Sequence, residues 1–222
     1  SPRPATLVHP GRRVFWNGDD TQRSRAIALL SALLGNWGRK GGLFLAAGMK
    51  IAPYPLPAYP KSDKPKADGS DGARFPFADE GITTSIRDAT LTGKPYPIKG
   101  WFVYSSNIIY ALPNASETLK AIDNLDLLVV VDTIGSKIAG YADVVLPEST
   151  FLERHDELLV GFGRTGWTSL RQPVVAAPHE QKPGWWIAKE LAKKLGVGDC
   201  MPFKDIEEYL AFRIGKSGFR WP

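Results

Sequence analysis

Cysteine is almost missing from this sequence. Cys200 stands alone among 222 residues, which excludes an internal disulfide, a CxxC redox pair, a thiolate zinc site and an iron–sulfur cluster held by this chain by itself. Histidine is nearly as scarce. His9, His155 and His179 share no ligand spacing, so a histidine metal centre is not expected. No Ser/His/Asp or Cys/His grouping stands out, and the phosphate-loop signatures GxGxxG and GxxxxGK[ST] are absent. No run approaches the ~20 apolar residues of a membrane span, and "SPRPATLVHPGRRV" lacks the charged-then-apolar form of a signal segment. Lys and Arg are not interleaved with aromatics as on a nucleic-acid surface. Neither nucleic acid nor a membrane is therefore expected as a direct partner.

What remains is ordinary globular material. Apolar residues make up 43% and charged residues 23% of the chain, enough for one sizeable α/β domain with or without appendages. The 28 basic residues outnumber the 23 acidic ones by 5. That small excess suits either a phosphate-bearing ligand or simply a soluble surface.

Along the chain the first element is a helix. Asp19, Asp20 or Thr21 can cap it, Ala26, Ile27, Leu29, Leu30, Leu33 and Leu34 recur at helical spacing, and Gly35 sits where a left-handed residue ends it. "GNWGRKGG" follows, readable as a backbone that approaches a ligand or neighbouring segment, or as a plain connector. From Ala52 to Pro97 the chain is rich in Pro, Gly, Ser, Asp and Lys with no helical or alternating pattern, and reads as a long inserted loop. "IKGWFVY", "LDLLVVVD" and "ADVVLP" are then three short, continuously apolar strands. Asn114 and Glu117 make a capping box for a helix between the first two. This order predicts a parallel sheet covered on both faces. "GWWIAKELAKKLG" and "FKDIEEYLAFRIG" close the chain as helices.

The expected architecture is thus a three-layer α/β fold, a mostly parallel sheet with helices on both faces, like half of a dinucleotide-binding domain. Its expected parts are a helix and Gly-rich loop over 1–51, the insert over 52–97, the parallel core over 98–196 and a helical extension over 197–222. In such sheets ligands bind beyond the carboxyl ends of the strands. Asn107, Asp132 and the Glu148–Asp156 region lie at or just past those ends. Asp132 can accept from a ribose hydroxyl or cap a helix, and the residues alone leave both readings open. "DVVLP" reads as a fully covered strand that Pro147 ends, and Asp143 as the anchor of its start. Trp185 and Trp186 read as packing residues or, alternatively, as a stacking platform.

Several stretches together resemble the large catalytic subunits of molybdopterin oxidoreductases, in the dimethyl sulfoxide reductase superfamily: "HPGRRVFWNGDDTQRSRAIALLSALLGNWGRKGG", "YSSNIIYALPN", "LLVVVDTIGSKIAGYADVVLPESTFLERHDEL" and "LRQPVVAAPHEQKPGWWIAKELAKKLG". The resemblance is strongest to the polysulfide and thiosulfate reductase branch, with arsenate reductases and arsenite oxidases next. It implies a molybdenum (or tungsten) bis-molybdopterin guanine dinucleotide cofactor and reduction of a small inorganic substrate in anaerobic respiration. It also implies an iron–sulfur electron-transfer subunit, a membrane anchor subunit and a periplasmic setting. Because family members are several times longer, the chain looks like an internal piece, inactive by itself. An amino-terminal [4Fe–4S] cluster and the metal ligand would then lie in the rest of the same subunit. The resemblance assigns Asn107, Val131, Asp132 and Arg154 to cofactor binding and none of them to catalysis or metal ligation. It places Gly184 where many relatives have an aspartate that reads guanine. A reading from another class stays beside it: a non-catalytic nucleotide-binding or interaction module.

Overall fold

The structure, a computed structural model, describes Val8 and residues 20–44, 46–59, 61–70 and 81–219. The expected cap at Asp19, the whole "HPGRRVFWNG" stretch and residues 71–80 of the insert lie outside the described residues. The chain divides into two compact units, one of Ser1–Ala52, Leu158–Leu170 and Lys216–Phe219, the other of Pro53–Glu157, Arg171–Gly215 and Arg220–Pro222.

In the first unit, helix α1 (Asp20–Leu33) forms as its spacing predicts, and Gly35 ends it with φ +67°. Its apolar stripe is not a buried face, however. Leu29, Leu30 and Leu33 are exposed, whereas Ser31 and Asn36 are buried. The glycine-rich loop closes on itself: a side chain at Gly42 would overlap the carbonyl group of Asn36, at the other end of the same loop, and stand 2.9 Å from its carbon. A short antiparallel hairpin, β4 (Leu159–Gly161) with β5 (Trp167–Ser169), belongs to the same unit.

The second unit holds the sheet. Strands β1 (Gly100–Tyr104), β2 (Leu127–Asp132) and β3 (Val144–Pro147) run parallel in the order β1-β2-β3. Helices α3 (Ile108–Ala111) and α4 (Ala115–Asp123) and a 3-10 helix (Lys137–Tyr141) connect them. Strand alternation puts Trp101, Val103, Leu128 and Val130 on one face, where they pack with Ile108, Ile109, Ala121, Ile122 and Ile138. Asn114 caps α4 by accepting from the Glu117 N–H, as its capping box predicts. Asp143 anchors the start of β3: its carboxylate accepts from the Leu128 N–H at 2.7 Å while its own N–H donates to the Leu128 carbonyl.

Three expectations need correction. The stretch read as patternless carries helix α2 (Thr83–Thr92), in a sequence with four threonines and no side-chain cap. Such a segment has low intrinsic helix propensity. It forms because Ala89 and Thr90 are buried against the domain and Thr90 accepts from the Trp101 indole at 3.1 Å. Next, "DVVLP" is not fully covered: β3 is an edge strand and Val145 is 47% exposed. Finally, the three-layer arrangement appears in reduced form. A small parallel sheet is flanked by helices, and helix outweighs strand among the described residues. The second face, flanked by α5 (Gly184–Lys194), stays open enough that Phe102 is 50% exposed.

That asymmetry is measurable. Leu128→Ala, at a residue 1% exposed, should cost about 2–5 kcal/mol, read as a lower denaturation midpoint. Phe102→Ala should cost clearly less, and equal costs would contradict the open second face.

Candidate functional site

The strand register brings three chain ends to one rim. Tyr104 lies beside Val131, and Asp132 lies beside Pro147. Just past them, the Ser105 N–H donates to the Val131 carbonyl at 2.9 Å and the Glu148 N–H to the Asp132 carbonyl at 3.0 Å. Ser105 turns the chain off β1 with φ +51°, a left-handed conformation uncommon for a non-glycine residue.

Each sequence-expected residue can be placed against this rim. Asn107 stands at the N-cap of α3 but makes no side-chain cap, and its Oδ1 is buried without a hydrogen-bond partner. Asn114, the same residue type at a similar position, does cap its helix, so Asn107 is an acceptor withheld from local use. Asp132 spends Oδ1 on the N–H groups of Thr133 (2.8 Å) and Ile134 (3.5 Å). Both earlier readings of Asp132 thus stay chemically open, since its second carboxylate oxygen has no partner among the described residues. Val131 is fully buried, so its side chain is part of the packed interior beneath the rim. Arg154 follows β3 and is tightly held. Its Nε donates to Asp156 Oδ1 at 2.8 Å and its NH1 to the Ser149 carbonyl at 2.8 Å, and NH1 forms an ion pair with Glu148 Oε1 at 2.5 Å. Asp156 also pairs with Arg171 at 2.6 Å.

Glu148 joins these groups. Its side chain is 1% exposed, and Oε1 pairs with the Arg154 guanidinium and accepts from the Tyr104 hydroxyl and, at 3.1 Å, from the Gly184 N–H that starts α5. Tyr104, Arg154, His155 and Gly184 line a cavity of about 350 Å³ whose other walls include Trp185, Phe203 and Tyr209. Helix α6 (Ile206–Lys216) closes it from the C-terminal side. Tyr209 donates to Glu157 at 2.7 Å, Arg213 pairs with Glu157 at 2.5 Å, Tyr54 stacks on Tyr209 with centroids 5.2 Å apart, and Phe203 meets Tyr54 edge-on at 5.7 Å. Aromatic walls with a guanidinium and carboxylates at the edge can accept a planar, hydrogen-bonding heterocycle.

The electrostatics follow from this packing. Partial burial, then the hydrogen bond to Glu148 and its negative charge, push the Tyr104 phenol up to about 12. Burial pulls the Arg154 guanidinium down, but its bond to Asp156 and the charges of Glu148 and Asp156 outweigh this and raise it. Among the described residues no group of three or more His, Cys, Asp or Glu could hold a metal ion.

Residues 5–194 match the family described as molybdopterin oxidoreductase. The chain belongs to that family. It is 37% identical over 225 residues to the thiosulfate reductase molybdopterin-containing subunit PhsA of Salmonella typhimurium, covering 95% of this chain and 30% of that protein. To the probable dimethyl sulfoxide reductase chain YnfF of Escherichia coli it is 30% identical over 217 residues, covering 92% of this chain and 25% of that one. The structure of acetylene hydratase from Pelobacter acetylenicus matches with a TM-score of 0.54 at 34% identity, over 62% of this chain and 19% of that one. This molybdopterin oxidoreductase chain therefore spans less than a third of the length of these relatives. Their names cover reductases and a hydratase, so family membership by itself leaves the reaction open.

Sequence reasoning passed over Tyr104 and the closeness of Gly184. Tyr104 had a visible signal: it ends β1 on the opposite parity from Trp101 and Val103, so it cannot share their core. Glu148 carried the same mark as Asp132, an acid at the carboxyl end of an apolar strand.

The Tyr104 proton yields a pH test. Its folded value, about 12, is raised above the ordinary 10.0, so the unfolded chain loses this proton first. Stability present below pH 10 is then lost as pH rises towards 12. Denaturation across that window should show the decline, and Tyr104→Phe should make it shallower. Identical slopes would contradict the assignment.

Proposed function

We propose that this chain is the part of a molybdenum oxidoreductase catalytic subunit that holds the guanosine end of one molybdopterin guanine dinucleotide at the carboxyl rim of β1–β3. One observation carries the reading: past the ends of β1 and β2, the buried Asn107 Oδ1 and the second Asp132 carboxylate oxygen have no partner among the described residues. A ribose or a purine edge offers donors to both, and Arg154 lies one strand further along, suited to a pyrophosphate oxygen. Val131 forms the wall beneath. On this reading residues 98–196 are the cofactor-binding core, 1–51 add a helix and a Gly-rich loop, 52–97 are an insert and 197–222 a helical extension.

The residues present fit such a group. When bound, the molybdenum centre supplies the two-electron chemistry, and the protein supplies binding, orientation and electrostatics. Asn107 and Asp132 orient the nucleotide, and Arg154 steadies its charged linkage.

For the parent reaction we propose reductive cleavage of a sulfur–sulfur bond in thiosulfate or polysulfide, taking up two electrons and two protons. Its support is the 37% identity with a thiosulfate reductase subunit over 95% of this chain. The same reading brings a [4Fe–4S] cluster elsewhere in the subunit, an iron–sulfur partner subunit, a membrane anchor and a periplasmic location.

The test is retention of the cofactor by the intact polypeptide that carries this chain. Asp132→Ala removes an acceptor worth about 1.5–3 kcal/mol for a charged hydrogen bond, roughly tenfold or more in affinity. Asp132→Ala and Asn107→Ala should each lower molybdenum and guanine nucleotide content. Unchanged content in both variants would remove them from the site.

A further inference from the structure

Three groups that line the cavity, the Tyr104 hydroxyl, the Arg154 guanidinium and the Gly184 backbone, all end on one oxygen of Glu148. Glu148 itself does not line the cavity. We infer that Glu148 is the positioning residue of the nucleotide site: its buried carboxylate fixes these three lining groups in one arrangement and dictates a glycine at position 184. This inference rests on the nucleotide reading proposed above.

The physical case starts from burial. A carboxylate withdrawn from water is stable only with a paired charge or donors around it, and here these are a guanidinium charge, a phenol O–H and a backbone N–H. Each donor lies on a different element: Tyr104 at the end of β1, Arg154 after β3 and Gly184 at the start of α5. Helix α5 has Pro183 at its N-cap and no side-chain cap of its own. Glu148 takes over that duty, because a carboxylate satisfies one of the free N–H groups and suits the positive helix end.

Arg154 shows what the arrangement achieves. Its charge is matched locally, since Arg154 and Arg171 stand against Glu148 and Asp156. What it offers a ligand is therefore a directed donor more than a net positive field. Its Nε and NH1 are occupied, and NH2 has no partner among the described residues. The direction in which NH2 points is set by the bonds to Glu148, Asp156 and the Ser149 carbonyl.

Gly184 supplies an independent observation. A Cβ there would stand 2.8 Å from Glu148 Oε1 and closer still to the Tyr104 hydroxyl. No side chain fits while Glu148 and Tyr104 hold their places. The missing side chain at 184 is thus coupled to the acid at 148.

The experiment uses the intact, cofactor-depleted polypeptide, with guanosine diphosphate as the probe in titration calorimetry. Glu148→Gln should weaken binding about tenfold, and combining it with Arg154→Ala should cost less than the two separate losses together. Ultraviolet titration of Tyr104, read as the difference from Tyr104→Phe, should move down from about 12 towards its ordinary value in Glu148→Gln. A purely scaffolding glutamate would give additive losses. Wild-type affinity in Glu148→Gln, beside a weakened Arg154→Ala, overturns the inference and leaves the nucleotide reading standing. No binding by the wild-type polypeptide takes down both. Should Glu148→Gln fail to fold, Gly184→Ala probes the same contact from the helix side, and undiminished affinity there overturns the inference equally.

Discussion

Tyr104 lies beside Val131 and Asp132 beside Pro147, so β1, β2 and β3 end in step and release three loops on the same side of the sheet. Parallel strands make this possible, because every carboxyl end points one way. An amide, two carboxylates and a guanidinium from distant parts of the sequence follow those strand ends without any local motif specifying it. Shift the β1–β2 register, and Ser105 loses its bond to the Val131 carbonyl.

The core behind the rim explains why that register holds. Trp101, Val103, Leu128 and Val130 alternate onto one face and pack with α3, α4 and the 3-10 helix. A one-residue slip would turn each of them to the open face. Asp143 adds a polar pin by exchanging bonds with the Leu128 backbone on both sides. On the other face Phe102, Tyr104 and Val144 stay 42–50% exposed. In the other unit Leu29, Leu30 and Leu33 on α1 are exposed too, and exposed apolar residues of this kind mark contacts. On the proposed reading, the rest of the same polypeptide covers them.

Much of this was legible in the residues, and the gaps have physical causes. Continuous apolar runs gave away the strands, Asn114 with Glu117 the start of α4, and Gly35 and Gly196 the ends of α1 and α5. Helix α2 was hidden because its stability comes from Thr90 meeting Trp101, a contact no local pattern encodes. Coverage of "DVVLP" was overread because an apolar edge strand and an apolar central strand look alike in sequence. Asp132 and Arg154 were visible as charges past strand ends. The role of Glu148 was not, since it depends on a hydroxyl 44 positions earlier in the chain and an amide 36 positions later.

The central claim is a nucleotide held at the β1–β3 rim. It is tested most directly by an experimental structure of the intact polypeptide purified with its cofactor. The account predicts nucleotide density within hydrogen-bonding reach, about 3.2 Å or less, of both Asn107 Oδ1 and the free Asp132 oxygen. A nucleotide seated elsewhere, with Asn107 Oδ1 bonded to another part of the protein, would contradict it.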